Sequence, residues 1–273
     1  MKNMHKFSYY LLPVLLFFLV NCNSSTEGDE ASDNDTAKVV NSSKAATVLY
    51  SLPAPVDIAS VLMDHPGSKF NQDFLNPADK AAKYNTSKSL ALNLGVYGAD
   101  LSYASFFEQN QVTLNYMAVT KKMAESLGIL NSIDEKQFKK IGSNNIDKAG
   151  MQKIISESFM NTDSYLQQNN RTEVMTMILI GGWVEAQYLA TSLSKGSLKE
   201  NPELIQRIME QSLTLELMFS LFDDYKDSQN INEIKADLSK VQKSYEKLNT
   251  ELNQANYKEF CSIIKEIRTS YTI

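Results

Sequence analysis

The sequence predicts an all-α fold, and three observations carry that reading. Glycine and proline are scarce, 10 and 6 among 273 residues, while Leu, Lys, Glu, Gln, Met and Ala recur, a composition that favours helices over the turn-rich punctuation of a β-sandwich. Apolar side chains return at three- and four-residue spacing, as in Ile234, Leu238, Val241, Tyr245, Leu248 and Leu252, so each falls on one face of a helix. Helix-start chemistry stands ahead of the periodic runs, most plainly in Asn76-Pro77 and Asn201-Pro202, where a capping amide precedes a proline suited to the first helical position. With 43% apolar and 10% aromatic residues, the chain can bury a large core. The expected architecture is a bundle of about seven to nine helices, two of them central and buried, over residues 47–273.

The N-terminus reads as an address. Lys2, His5 and Lys6 form a basic start, and Phe7 to Val20 is an uncharged, mostly apolar stretch too short to span a bilayer comfortably. It is expected to be a signal peptide over residues 1–21, closed by Leu19-Val20-Asn21-Cys22, which resembles the bacterial lipobox; Asn21 stands where that motif usually has Gly, Ala or Ser. Cys22 is therefore the expected site of lipidation, and its acyl chains the expected anchor to a membrane. An ordinary signal peptide or N-terminal anchor with a chance cysteine is the competing reading. The only other cysteine, Cys261, lies among Phe260, Ile263 and Ile264 and is expected to pack as a small apolar side chain, so no internal disulfide is available.

Residues 22–46 are rich in Ser, Asn, Thr, Asp and Glu and too poor in large apolar side chains to order themselves, which reads as a flexible tether. Glu27, Asp29 and Glu30 resemble the acidic export signals of surface lipoproteins in Bacteroidetes, and Asp35-Thr36-Ala37 resembles the O-glycosylation sequon of that phylum. A plain solvated linker is the competing reading. Residues 1–21 hold two lysines and no acid, so their removal takes the formal charge from -5 to -7. That balance offers no electrostatic reason to bind nucleic acid.

From Pro55 the helices follow in order. A short segment to about Met63 comes first, then the start at Asn76-Pro77 and apolar spacing from Ser87 to Phe107. Residues 111–127 form the next, ending at Gly128 in an expected left-handed cap. Ser132 and Glu135 are spaced as a capping box for a short helix to about Ile141, and Asn145 opens another to about Gln168. Thr172 to Leu193 is closed by Gly196; Asn201-Pro202 starts a helix to about Tyr225; the last two span about 231–253 and 256–271.

Residues 90–107 and 174–193 carry almost no charge on any face, which in a water-soluble body means neighbours all round. Each also has a stripe of small residues: Ala91, Gly95, Gly98 and Ser102 in the first, Gly182, Ala186 and Ala190 in the second. Glycine inside a helix costs up to about 1 kcal/mol relative to alanine, and close helix approach would offset it. The two helices are expected to touch along these stripes. No solenoid repeat is present.

The runs Asn93-Leu94-Gly95-Val96-Tyr97-Gly98-Ala99-Asp100-Leu101-Ser102-Tyr103 and Gly181-Gly182-Trp183-Val184-Glu185-Ala186-Gln187-Tyr188, with the lipobox, resemble a family of uncharacterised helical lipoproteins of Bacteroidetes. The resemblance spans most of the chain beyond the signal peptide. It implies a cell-envelope address and a helical fold, and it brings no activity, cofactor or site residue with it.

Composition excludes several chemistries. His65 is the only histidine beyond the signal peptide, so zinc or di-iron sites built on histidine are excluded, and no metal or other cofactor is expected. Gly-x-Ser-x-Gly, phosphate-binding glycine loops and Cys-His pairings are absent from the sequence. Asp223-Asp224 reads as a solvated helix end, without the spaced oxygen ligands of a calcium loop. One constellation stands out: Asp100 and Glu185, single carboxylates in otherwise apolar helices, with Tyr97, Tyr103, Trp183 and Tyr188 near them in sequence. A buried charge must be paired or hydrogen-bonded. Either these groups are satisfied internally and set helix register, or they line an aromatic-walled pocket for a polar, cationic or glycan ligand. The expected function is a membrane-anchored envelope protein, in the outer membrane, that binds a protein or small-molecule partner without catalysis; an enzyme of unrecognised type is the further alternative.

Overall fold

A computed structural model describes residues 69–132 and 148–273. Cys22, the tether, the segment Pro55–Met63, His65, Glu135 and Asn145 lie outside them. Among the described residues there are seven α-helices and no strand: α1 Ser87–Phe106, α2 Asn110–Ser126, α3 Lys148–Gln168, α4 Thr172–Leu193, α5 Pro202–Phe222, α6 Gln229–Thr250 and α7 Gln254–Tyr271. Short 3-10 turns at Gln72–Phe74, Ala78–Lys83, Leu130–Ser132 and Asp223–Tyr225 complete the regular structure. The fold is an all-α bundle.

Local chemistry sets the helix starts. The Thr86 hydroxyl accepts from the Ser89 amide while Ser89 answers to the Thr86 amide, a reciprocal cap for α1. Asn201 accepts from the Leu204 amide at 3.1 Å ahead of Pro202. Ser228 and Asn253 cap α6 and α7 in the same way, each such cap contributing about 1 kcal/mol. Gly128 and Gly196 close α2 and α4 with left-handed φ of 68° and 62°. The start expected at Asn76-Pro77 differs. It leads only to a 3-10 turn, and the Asn76 side chain makes no cap, because it turns inward to meet Tyr84 and Asn93.

Helices α1 and α4 form the centre, each buried on nearly every side. Around this pair, α1 also packs against α2 and α3, and α4 against α3, α5 and α7, with α6 closing the far side over α5 and α7. The apolar stripe of α6, Ile231 through Leu248, is buried with its charges outside; each such Leu or Ile contributes about 1.5–3 kcal/mol by leaving water. Tyr245 and Phe260 join α6 to α7 with ring centroids 4.7 Å apart.

The central contact shares only part of the expected seam: Gly95 does meet the backbone of Gly182, whose nitrogen lies 2.5 Å from a Cβ built on Gly95, but the seam is centred elsewhere. A Cβ on Gly95 would lie 2.0 Å from the Ile178 carbonyl oxygen, and one on Gly181 would lie 1.9 Å from the Leu92 carbonyl oxygen. Gly182 is looser, with its nearest neighbour at 3.4 Å, and Gly98 meets the Phe159 ring of α3 instead of α4. The seam on α4 thus runs through Ile178, Gly181 and the Gly182 backbone, rotated from the Ala186, Ala190 side of the stripe.

Candidate functional site

Asp100 of α1 and Glu185 of α4 face one another in the interior, both fully buried. Their cation is Arg268, from the last turn of α7. Its Nε donates to Glu185 Oε2 at 2.9 Å and its Nη2 to Oε1 at 3.1 Å, a two-pronged pairing that fixes the carboxylate plane. The same guanidinium lies 4.5 Å from the Tyr188 ring centroid and reaches the Phe74 carbonyl at 3.3 Å. Asp100 Oδ2 accepts from the Asn76 amide at 3.0 Å, while no N–H or O–H donor reaches Oδ1.

Two carboxyl groups thus share one cation. Burial raises the Asp100 carboxyl well above the usual carboxylate range, and the neighbouring Glu185 raises it further, against the opposing pull of the Asn76 amide and Arg268. Burial also raises Glu185, with Arg268 opposing. Burial and the neighbouring Glu185 thus both favour the neutral form of the Asp100 carboxyl. Burial pulls the Arg268 guanidinium down, but Glu185 outweighs it and keeps it above its usual value.

The tyrosines fasten the segment Phe70–Tyr84 over this cluster. Tyr97 donates to the Pro77 carbonyl at 2.8 Å, Tyr116 donates to the Asn76 carbonyl at 2.8 Å, and the Tyr103 hydroxyl accepts from the Asn71 amide at 3.1 Å. Phe70 stacks on Tyr103 with centroids 5.4 Å apart. Asn93 donates to the Tyr271 carbonyl at 2.7 Å, and Lys80 to the Thr272 carbonyl at 3.1 Å, so the chain end is tied into the same network.

Of the six residues proposed to line a pocket, Asp100, Glu185, Tyr97 and Tyr103 are buried in this network and Tyr188 half-covers it. Trp183 belongs elsewhere. Its indole N–H donates to Gln211 Oε1 on α5 at 3.3 Å, because residues two apart on a helix do not share a face. The group is closed, without the open aromatic wall a polar ligand would enter. Sequence reasoning missed Arg268, although it sits three residues before Tyr271 and four after Ile264 on the buried stripe of α7, a spacing that places a cation against the core.

A separate cleft opens between α1, α2 and α3. It encloses about 70 Å³ and is lined by Leu94, Leu101, Met117, Ile154 and Phe159, with Ile178 of α4. The hydroxyls on its lining are spent: Thr120 donates to the Met117 carbonyl, Ser158 to Ile154 and Thr162 to Ser158. Its surface is hydrocarbon.

No protein-family model, curated protein or solved structure matches this chain. Among the described residues no helix is long and apolar enough to cross a membrane, and no cluster of three His, Cys, Asp or Glu side chains is placed to hold a metal. Cys261 is half-buried, its thiol pushed up to about 11 by burial, so it is no nucleophile near neutral pH.

Proposed function

We propose that this chain is a bacterial envelope protein, anchored by acyl chains on Cys22 and related to the helical lipoproteins its sequence resembles, that binds an apolar small molecule through the α1–α2–α3 cleft. The observation that carries the reading is the hydrocarbon lining of that cleft. With every wall hydroxyl turned back onto its own helix, it suits an alkyl chain whose polar end stays in water. A broad protein interface has less support: the large apolar side chains exposed among the described residues are Met160 on α3, Leu213 on α5, Leu252 in the α6–α7 link and Ile273 after α7, scattered along the chain. A polar or glycan ligand at Asp100 and Glu185 has less support too, since both are fully buried and Glu185 is paired with Arg268.

Titration with a fluorescent octadecanoyl probe tests the reading. The chain is expected to bind it saturably, and Ser158→Phe, which fills the cleft and gives up only a bond to its own helix, is expected to weaken binding at least about tenfold. Equal binding by both proteins would overturn the proposal. For the anchor, cells fed labelled palmitate are expected to mark the wild-type chain and leave Cys22→Ala unmarked; label on neither would refute acylation.

A further inference from the structure

The cleft between α1, α2 and α3 is graded from mouth to interior. On its lining Leu94, Met117 and Phe159 are only partly buried, whereas Thr120, Ile154, Ile155, Thr162 and Ile178 are buried. All five buried side chains are β-branched and stand on helices, where such side chains keep to one or two rotamers. The two threonine hydroxyls are tied to their own helices as well. Ile178 is fixed further, because its carbonyl oxygen abuts Gly95 in the seam between α1 and α4. The interior therefore cannot reshape itself around a bulky guest, and the side chains at the mouth decide what enters.

The Phe159 ring lies where a side chain on Gly98 would stand: a Cβ there would be 2.9 Å from Phe159 Cζ and 3.2 Å from its Cε2. With Gly98 bare, the aromatic ring of α3 settles onto the backbone of α1 and narrows the space between the helices. What remains is about 70 Å³. An apolar cavity that takes up benzene measures about 150 Å³, so a six-membered ring exceeds this space, while a polymethylene chain is the thinnest form of hydrocarbon. We propose that Phe159, seated on Gly98, sets the specificity of the cleft, which admits the end of an unbranched alkyl chain and turns away methyl-branched and ring-bearing ones. This deepens the alkyl reading of the same cleft, on which it rests. The discrimination is steric: a single methylene too many in a hydrocarbon pocket changes binding by a factor of about 10 to 200.

Two probes with the same fluorophore, one a linear octadecanoyl chain and the other a tetramethylhexadecanoyl chain, are titrated into the full chain. The wild type is expected to bind the linear probe at least about tenfold more tightly than the branched one. In Phe159→Ala, and in the milder Phe159→Leu, that ratio is expected to fall to about threefold or less as the branched probe gains. Phe159 is half-exposed, so shortening it costs the fold less than truncating a core aromatic would. Equal affinity of the wild type for both probes would overturn the selectivity and leave the alkyl site standing. An undiminished ratio in the two variants would overturn the role of Phe159. Binding of neither probe would overturn the alkyl site itself, and the selectivity with it.

Discussion

Gly95 of α1 meets Ile178 of α4 backbone against backbone: a Cβ on the glycine would stand 2.0 Å from the isoleucine carbonyl oxygen. No side-chain rotation relieves such an overlap, so the helices must separate if the glycine is replaced. Packed interiors transmit that shift to their neighbours, and α4 carries Glu185 in the same helix.

Gly95→Ala and Gly181→Ala are therefore expected to lower stability by about 1–3 kcal/mol or more each. Gly182→Ala, whose nearest neighbour is 3.4 Å away, should cost much less. Gly98→Ala falls between, since the Phe159 ring it meets at 2.9 Å is a side chain that can move. Thermal melting of the four variants checks the order; a Gly182→Ala protein melting below Gly95→Ala would contradict the seam.

Removing one partner of the buried ion pair leaves an uncompensated charge. Arg268→Ala and Glu185→Ala are each expected to cost about 3–5 kcal/mol, and the double variant should lose much less than the two costs combined. A denaturant-melt double-mutant cycle that came out additive would show the pairing to be energetically idle.

The global stability of the chain should depend on pH through Asp100. Burial favours the protonated Asp100 in the folded state, whereas the unfolded chain releases that proton near pH 4, the usual value of about 3.9. Above that pH the unfolded state binds fewer protons than the folded one, so stability declines as pH rises. Burial-raised Glu185 adds a slope of the same sign. Asp100→Asn removes the Asp100 contribution. Wild type and variant should melt alike near pH 3.5, and the variant should gain on the wild type by about 1.4 kcal/mol per pH unit until the folded pair itself ionises. A difference that does not change between pH 4 and 8 would be the contrary result.

Much of this molecule follows from short-range chemistry. Thr172 and Leu193 bound α4 as the apolar run and Gly196 imply, Asn201-Pro202 starts α5, and the near absence of charge from residues 90–107 and 174–193 marks the two central helices. These features depend on residues within a turn or two of each other, where spacing and capping act directly. The choice between readings of Asp100 and Glu185 did not. It rested on Arg268, 83 residues beyond Glu185, and on the inward turn of Asn76, a residue whose local chemistry points to a cap instead.

The sequence by itself determined the helical class, most helix limits, the central pair and the presence of two acids that need partners. Tertiary structure alone decided which partners they have, which glycines form the seam, that Trp183 turns to Gln211, and where the hydrocarbon cleft opens. The physical reason is rotation. A turn of a few tens of degrees about a helix axis leaves periodicity and caps unchanged, yet it exchanges one set of facing side chains for another, and only the packing of all the helices together selects the angle.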